Sequence, residues 1–163
     1  MNLPTVPGAE QVLEVAEFRI GSMSVADLER VSNWTKAALQ QPQIPIEMEH
    51  TLHAGLYART CRLRKGTAIT GVLIQVPTLL VVHGDAWVYI GNDRSVRVQG
   101  FRTIPASAGR KQAFVALEDT EITMIFPSAA TSVEEAEHEF TPEFDALASH
   151  RDDLNTVTIT GER

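Results

Sequence analysis

The stretch from Thr67 to Gln99 reads TAITGVLIQVPTLLVVHGDAWVYIGNDRSVRVQ, and its pattern decides the fold class. Apolar runs and alternating segments, rich in β-branched residues, follow one another with no room for a helix between them. Gly91-Asn92-Asp93 is the strongest hairpin signal, because Gly and Asn tolerate positive φ. His83-Gly84-Asp85 is predicted to form another turn. The stretch therefore predicts consecutive short β-strands and argues against a parallel α/β fold.

The same pattern extends on both sides of this stretch, and it divides the chain into three parts. Seven to nine short strands at this spacing indicate a small sandwich or barrel of the jelly-roll type. The predicted parts are an N-terminal arm at residues 1–48, a β-barrel at residues 49–127 and a C-terminal part at residues 128–163.

Helices are predicted in both flanks. In the arm, Ser24 as N-cap and Asp27 in the first turn begin a helix that covers about residues 24–41. The segment from Gln11 to Phe18 is ambiguous between a short helix and a strand. In the C-terminal part, Thr131 or Ser132 caps one helix, and Pro142 fits the first turn of a second. The tail LNTVTITGER alternates and is predicted to be extended.

Composition excludes several classes of protein. The 163 residues carry a formal net charge of −7, and 15 of the 21 acidic residues lie in the two flanks. This balance argues against nucleic-acid binding, which favours a basic patch. No apolar run approaches the roughly 18 residues of a membrane span. The single cysteine, Cys61, excludes an internal disulfide, so a cytoplasmic protein is expected.

Several anchors, in the right order, are similar to small single-domain cupins. The first are His50-x4-Gly55-x-Tyr57-x-Arg59, Lys65-Gly66-Thr67-x3-Gly71 and Gly84-Asp85. The later runs AGRKQAFVALEDT, from residue 108, and VEEAE, from residue 133, continue the resemblance, which covers about residues 48–140. Chains of this type occur as uncharacterised proteins of bacteriophages and prophages. The resemblance implies a mostly β, cupin-like jelly-roll barrel, flanked by an N-terminal helical arm and C-terminal helices.

The chain departs from the cupins that bind metal. Those cupins place a His-x-His pair and a Glu before the turn that corresponds to Gly84, and a further His three residues after the equivalent of Gly109. Here the first segment is GVLIQVPTLLVVHG, and the last position is Gln112. A transition metal needs about three or four N, O or S ligands that converge on one point. We therefore expect no metal, no cofactor and no catalytic residue at this site.

Arg59 is the polar residue most expected inside the barrel. It shares a strand face with Tyr57 and Cys61, and a buried guanidinium needs an acceptor, for which Gln112 and Glu118 are the candidates. One hypothesis is a structural polar network. The other is a small anionic ligand held by Arg59, Tyr57 and Gln112.

The remaining candidates have simpler explanations. His50 and His53 are expected to form a surface pair, although an unusual catalytic site around them is an alternative. His83 is expected to be exposed. Glu118 and Asp119 resemble a pair of acid/base carboxylates, but in the sequence EDT they are predicted to close a turn, with Asp119 bonding the backbone.

Three functions follow from these features. The first is a non-catalytic, metal-free structural or assembly protein that forms homo-oligomers. Its concrete form is a bacteriophage virion component, capsid-decorating or tail-associated, that contacts other virion proteins. The second is a sensor of a small ligand or sugar. The third, which the missing ligands disfavour, is a cupin enzyme of the isomerase or oxygenase type.

Overall fold

The computed structural model describes residues 18–151 and 153–163, so most of the ambiguous segment from Gln11 to Phe18 lies outside the described residues. Strands dominate the fold, and the two α-helices lie in the flanks. The α-helices are α1 (Val25–Ala38) and α2 (Val133–Phe140). The strands are β1 (Glu47–His53), β2 (Leu56–Leu63), β3 (Ala68–Ile74), β4 (Thr78–Gly91), β5 (Arg94–Ala106), β6 (Arg110–Ala116), β7 (Thr120–Pro127) and β8 (Asn155–Ile159).

Helix α1 begins where its capping residues predict. The Ser24 hydroxyl accepts a hydrogen bond from the Asp27 backbone N–H at 3.1 Å. The Asp27 carboxylate accepts bonds from the Tyr89 hydroxyl at 2.9 Å and from the Asn92 backbone N–H at 3.1 Å. Desolvation raises the pKa of Asp27, but these hydrogen bonds together outweigh it, and the pKa lies below its ordinary value. Asp27 therefore fixes α1 to the β4–β5 hairpin.

The sheet curls into a half-barrel, and β4 is the strand that both halves share. One edge of β4 pairs with β5 along almost its whole length. The other edge pairs first with β7, from Leu79 to His83, and then with β6, from Ala86 to Val88. Strands β2, β1 and β8 continue from β7, while β3 continues from β6. The mostly β fold predicted from the sequence is confirmed.

The change of partner along β4 occurs at Gly84, and here the prediction of a turn at His83-Gly84-Asp85 was wrong. The strand continues through these residues, with Gly84 at a φ of +145°. A Cβ atom at this position would lie 2.7 Å from the Asp119 carbonyl oxygen and from the Thr120 Cα. The Asp85 backbone N–H donates to the Thr120 hydroxyl at 3.1 Å. Glycine is used here because the β6–β7 connection passes directly against the backbone of β4.

The other turn predictions near this point are confirmed. Gly91, Asn92 and Asp93 all have positive φ at the β4–β5 turn. Glu118 and Asp119 connect β6 to β7, and the Asp119 carboxylate accepts a bond from the Lys65 backbone N–H at 2.8 Å. These two carboxylates thus have the turn role expected from the sequence.

The C-terminal part differs from its prediction in one respect. Ser132 caps α2, as predicted, through a bond from the Glu135 N–H. The second helix is instead two short 3-10 turns, Phe144–Ala146 and Ala148–His150, because Leu147 between them is extended. Strand β8 then pairs in parallel with β1 of the same chain. No helix among the described residues is long and apolar enough to cross a membrane.

We expect Gly84→Ala to destabilise the protein strongly. A φ of +145° is essentially restricted to glycine, and another residue with this φ costs about 1–3 kcal/mol. The clash of its Cβ with the Asp119–Thr120 backbone adds to this cost. A total cost of about 3 kcal/mol should lower the melting temperature by about 6–12 °C in a thermal denaturation experiment, at roughly 2–4 °C per kcal/mol. Gly21→Ala is the matched control, because open space surrounds Gly21. A similar melting temperature for the two variants would contradict the close approach.

Candidate functional site

The half-barrel contains a partly open cavity of about 320 Å³. Strands β1, β2 and β7 line one side, and β3 and β6 line the other. The end of α1, residues 42–46 and residues 145–151 cover it. Most of the lining is apolar and comes from inward-facing positions of the strands, including Met48, Cys61, Ile69, Val72, Phe114, Ile122 and Met124.

Gln112 of β6 supplies an amide to the wall of this cavity. A β-bulge lies opposite, because Gly71 and Val72 fall between the paired residues Thr70 and Leu73 and together oppose Gln112. Bulges are frequent beside functional sites, where they redirect side chains. Among the described residues, the Gln112 side chain makes a single hydrogen bond, a long one of 3.8 Å from Nε2 to the Met124 sulfur. Its carbonyl oxygen and its other N–H remain able to bond a ligand or water.

Arg59 also lines the cavity, but its charge is neutralised within the protein. Its Nη1 lies 3.4 Å from a carboxylate oxygen of Glu137 in α2, and the side chains are only 10% and 5% exposed. Its Nη2 donates to the Ser149 hydroxyl at 3.3 Å, and Ser149 donates to the same Glu137 oxygen at 2.8 Å. The guanidinium lies 5.7 Å from the centre of the Phe140 ring. Gln112 and Glu118 were predicted to be the partners of Arg59, and this prediction was wrong. Helix α2 folds over the barrel and brings Glu137 to Arg59 instead.

The structure brings together two of the three predicted ligand-binding residues. Arg59 and Gln112 face the same cavity, whereas Tyr57 is not among the residues that line it. Tyr57 is fully buried and packs edge-to-face on Phe126. Burial raises the pKa of its hydroxyl. The expected surface pair of histidines was also half wrong, because His53 is exposed but His50 is only 1% exposed.

Both ring nitrogens of His50 have partners. Nε2 lies 2.8 Å from the side-chain oxygen of Asn155, Oδ1, and Nδ1 lies 2.8 Å from the Tyr57 hydroxyl. The Asn155 oxygen accepts, so His50 carries its proton on Nε2 and accepts from Tyr57 at Nδ1. Burial lowers the pKa of His50, which keeps the ring neutral. His50 therefore holds β8 to β1 and is not aimed at the cavity.

Sequence reasoning missed the residues that close the site. Glu137 lies four residues after Val133 and three before Phe140, so helical periodicity places it on the inward face of α2, a signal that was available. No sequence pattern, by contrast, indicated the contact between Gln43 and Arg151. The Arg151 Nη1 donates to the side-chain amide oxygen of Gln43, Oε1, at 2.7 Å, and this bond joins the two covering segments.

The donors around the cavity do not fit a transition-metal centre. Among the lining residues, Cys61 and Asp145 are the only members of the usual metal-binding types, His, Cys, Asp and Glu, and Asp145 lies on the exposed rim. In the described part of the chain, no group of three or more such residues is placed to hold a metal ion. The other polar side chains of the lining are threonine hydroxyls, the amides of Gln43 and Gln112, and the guanidinium groups of Arg59 and Arg151, which cannot ligate a cation.

No protein-family model matches this chain, and no curated protein matches it. Solved structures of cupin superfamily and double-stranded β-helix proteins resemble it in part. A cupin superfamily protein from Desulfitobacterium hafniense is 12% identical over 45% of this chain and 67% of its own, with a TM-score of 0.39. An uncharacterised double-stranded β-helix protein from Klebsiella pneumoniae is 14% identical over 55% and 80%, with a TM-score of 0.45. KdgF from Halomonas sp. is 19% identical over 56% and 86%, with a TM-score of 0.44.

The Arg59–Glu137 pair gives a test of the buried network. We expect Glu137→Leu alone to lower the free energy of unfolding by about 3–5 kcal/mol, because it leaves Arg59 buried and without its charge partner. The double variant Arg59→Met, Glu137→Leu should recover most of this loss, since two apolar side chains need no partner. Urea denaturation of the two single variants and the double variant measures the coupling. Additive losses would contradict a direct interaction.

Cys61 reports on access to the cavity. Burial raises the pKa of its thiol to about 11. Because the thiolate is the reactive form, we expect the labelling rate with a disulfide reagent to rise about tenfold per pH unit from pH 7 to 10. The labelling rate of an exposed thiol instead levels off above its ordinary pKa of about 8.5. A plateau near pH 9 would contradict the burial of Cys61, and free cysteine in the same buffers is the control.

Proposed function

We propose that this chain is a non-catalytic binding module that holds a small, mainly apolar molecule in the half-barrel. The observation that carries the proposal is the cavity of about 320 Å³, which is apolar over most of its wall and has a few polar groups. Small-molecule sites typically have this size and this combination of surfaces. The cavity opens partly to solvent and is lined by inward-facing strand residues, so a ligand can enter it and replace the packing that these side chains lack.

The composition of the wall also selects between the ligands considered from the sequence. A sugar presents hydroxyl groups all round and needs many hydrogen-bonding partners. The inward positions of β1, β2 and β7 supply mainly Met48, Cys61, Ile122 and Met124 instead. A sugar sensor is therefore the weaker form of the binding hypothesis.

A neutral fluorescent probe, N-phenyl-1-naphthylamine, tests the proposal directly. We expect saturable binding with a fluorescence increase, and an increase in melting temperature at high probe concentration. At 100 times the dissociation constant the stabilisation is about 2.7 kcal/mol, which corresponds to roughly 5–10 °C. Val72→Phe, which fills the cavity, should weaken binding, while Val81→Phe on β4, outside the lining, should not. Equal binding by both variants would place the probe elsewhere.

An assembly role is the second candidate, and one observation favours it. Strand β8 lies at the end of the sheet order, and Val157 and Ile159 on it are 50% and 51% exposed. An edge strand with apolar side chains is a surface on which another chain can pair. The finer proposal is a homo-oligomer, and beyond it a component of a bacteriophage virion. The alternation of the tail that prompted this idea is also accounted for by pairing with β1 within the chain.

Native mass spectrometry tests the assembly role. A multimer of defined size that Val157→Lys reduces to monomer would support it. A monomer at high concentration would exclude self-assembly through β8. A stoichiometric zinc, manganese, nickel or iron(II) adduct in the same experiment would contradict the metal-free character of the module.

A further inference from the structure

We infer that the ligand of the cavity is uncharged and carries a hydrogen-bonding group, which the Gln112 amide recognises. This inference rests on the proposed binding function and concerns the chemistry of the ligand. It differs from the sequence-based hypothesis of an anion held by Arg59. Two independent observations carry it, the charge balance around the cavity and the free bonding capacity of Gln112.

The charges around the cavity cancel. The charged side chains that line it are Arg59, Asp145 and Arg151. Glu137 lies behind Arg59 and forms a buried ion pair with it, and the His150 Nε2 lies 3.2 Å from the same carboxylate oxygen. The two positive charges of Arg59 and Arg151 are thus balanced by the two negative charges of Asp145 and Glu137. An anionic ligand would lose its hydration in an apolar cavity and would meet no net positive charge in return.

Arg59 is also restricted sterically and by its hydrogen bonds. Glu137 and Ser149 each accept a bond from one of its terminal nitrogens, and the guanidinium carbon lies 5.7 Å from the centre of the Phe140 ring. Bidentate binding of a carboxylate requires two parallel N–H groups on one side of the guanidinium. These two bonds use two of the five guanidinium N–H groups, so a ligand carboxylate would have to bind beside Glu137 and share its counter-charge.

Gln112 is the polar group on the opposite wall whose bonding capacity is unused. Its one hydrogen bond within the described chain is the long contact with the Met124 sulfur. The Gly71–Val72 bulge faces it, and a Cβ on Gly71 would come to 3.4 Å from the Gln112 Cβ, so the strand stays close without covering the amide. A ligand amide, carbonyl or hydroxyl group can pair with it and replace water.

Three probes of nearly the same shape test the ligand class. They are phenylacetamide, which is neutral and polar, phenylacetate, which is anionic, and isobutylbenzene, which has no polar group. We expect phenylacetamide to bind the wild-type protein at least about tenfold more tightly than phenylacetate at pH 7.5, by chemical-shift titration. Gln112→Leu should lower the affinity for phenylacetamide by roughly threefold to tenfold and leave the affinity for isobutylbenzene unchanged. Gln99→Leu is the matched control, because Gln99 bonds Asp85 on β4 and is not among the lining residues.

Glu137→Gln supplies an independent arm. It keeps the size of the side chain and removes its negative charge, so Arg59 gains an unbalanced charge. Phenylacetate affinity should then rise at least about tenfold, while phenylacetamide affinity stays the same. If this variant does not fold, the ranking of the probes on the wild-type protein and on Gln112→Leu still decides the inference.

The failures of the two proposals are distinguishable. Tighter binding of phenylacetate than of phenylacetamide to the wild-type protein would overturn the uncharged ligand and support the binding function. Equal binding of phenylacetamide to wild type and Gln112→Leu would overturn the role of Gln112. If none of the three probes binds and N-phenyl-1-naphthylamine does not bind either, the binding function itself is wrong.

Discussion

The buried ion pair between Arg59 and Glu137 joins the half-barrel to the C-terminal part of the chain, residues 128–163, and the covered cavity depends on it. Arg59 projects from β2 towards the interior, where a lone guanidinium would be unstable. Glu137 provides the counter-charge only when α2 lies across the barrel, and Ser149 bonds both partners. The requirement for a partner of Arg59 therefore positions the segment that closes the cavity.

The same interaction shapes the chemistry of the site. A barrel with a free arginine would attract anions, but here Glu137 removes that attraction before a ligand arrives. What remains is a mainly apolar wall on which the Gln112 amide has unused bonding capacity, whereas the Gln43 amide is bonded to Ala38, Gln41 and Arg151. The cavity is thus suited to a neutral molecule, and its covering segments meet where Arg151 bonds Gln43. Stability and ligand selection come from one set of contacts.

Much of the fold could be predicted because it depends on local patterns. Alternation marked the strands, and Ser24 with Asp27 marked the start of α1. The failures came where a distant part of the chain decides the local structure. Gly84 was interpreted as a turn residue, but it continues a strand because the Asp119–Thr120 backbone lies against it. His50 was expected at the surface, but β8, more than one hundred residues later, covers it and bonds its ring.

By itself the sequence determined that this is a strand-rich protein, that Arg59 and Gln112 are inward polar residues, and that the apolar segment GVLIQVPTLLVV carries no histidine and no carboxylate. These conclusions need only side-chain type and periodicity. The tertiary structure alone decided which groups meet. It paired Arg59 with Glu137, separated Tyr57 from the cavity and placed β8 beside β1. Such contacts span large sequence separations, and no local pattern encodes them, because each depends on how the sheet curls around β4.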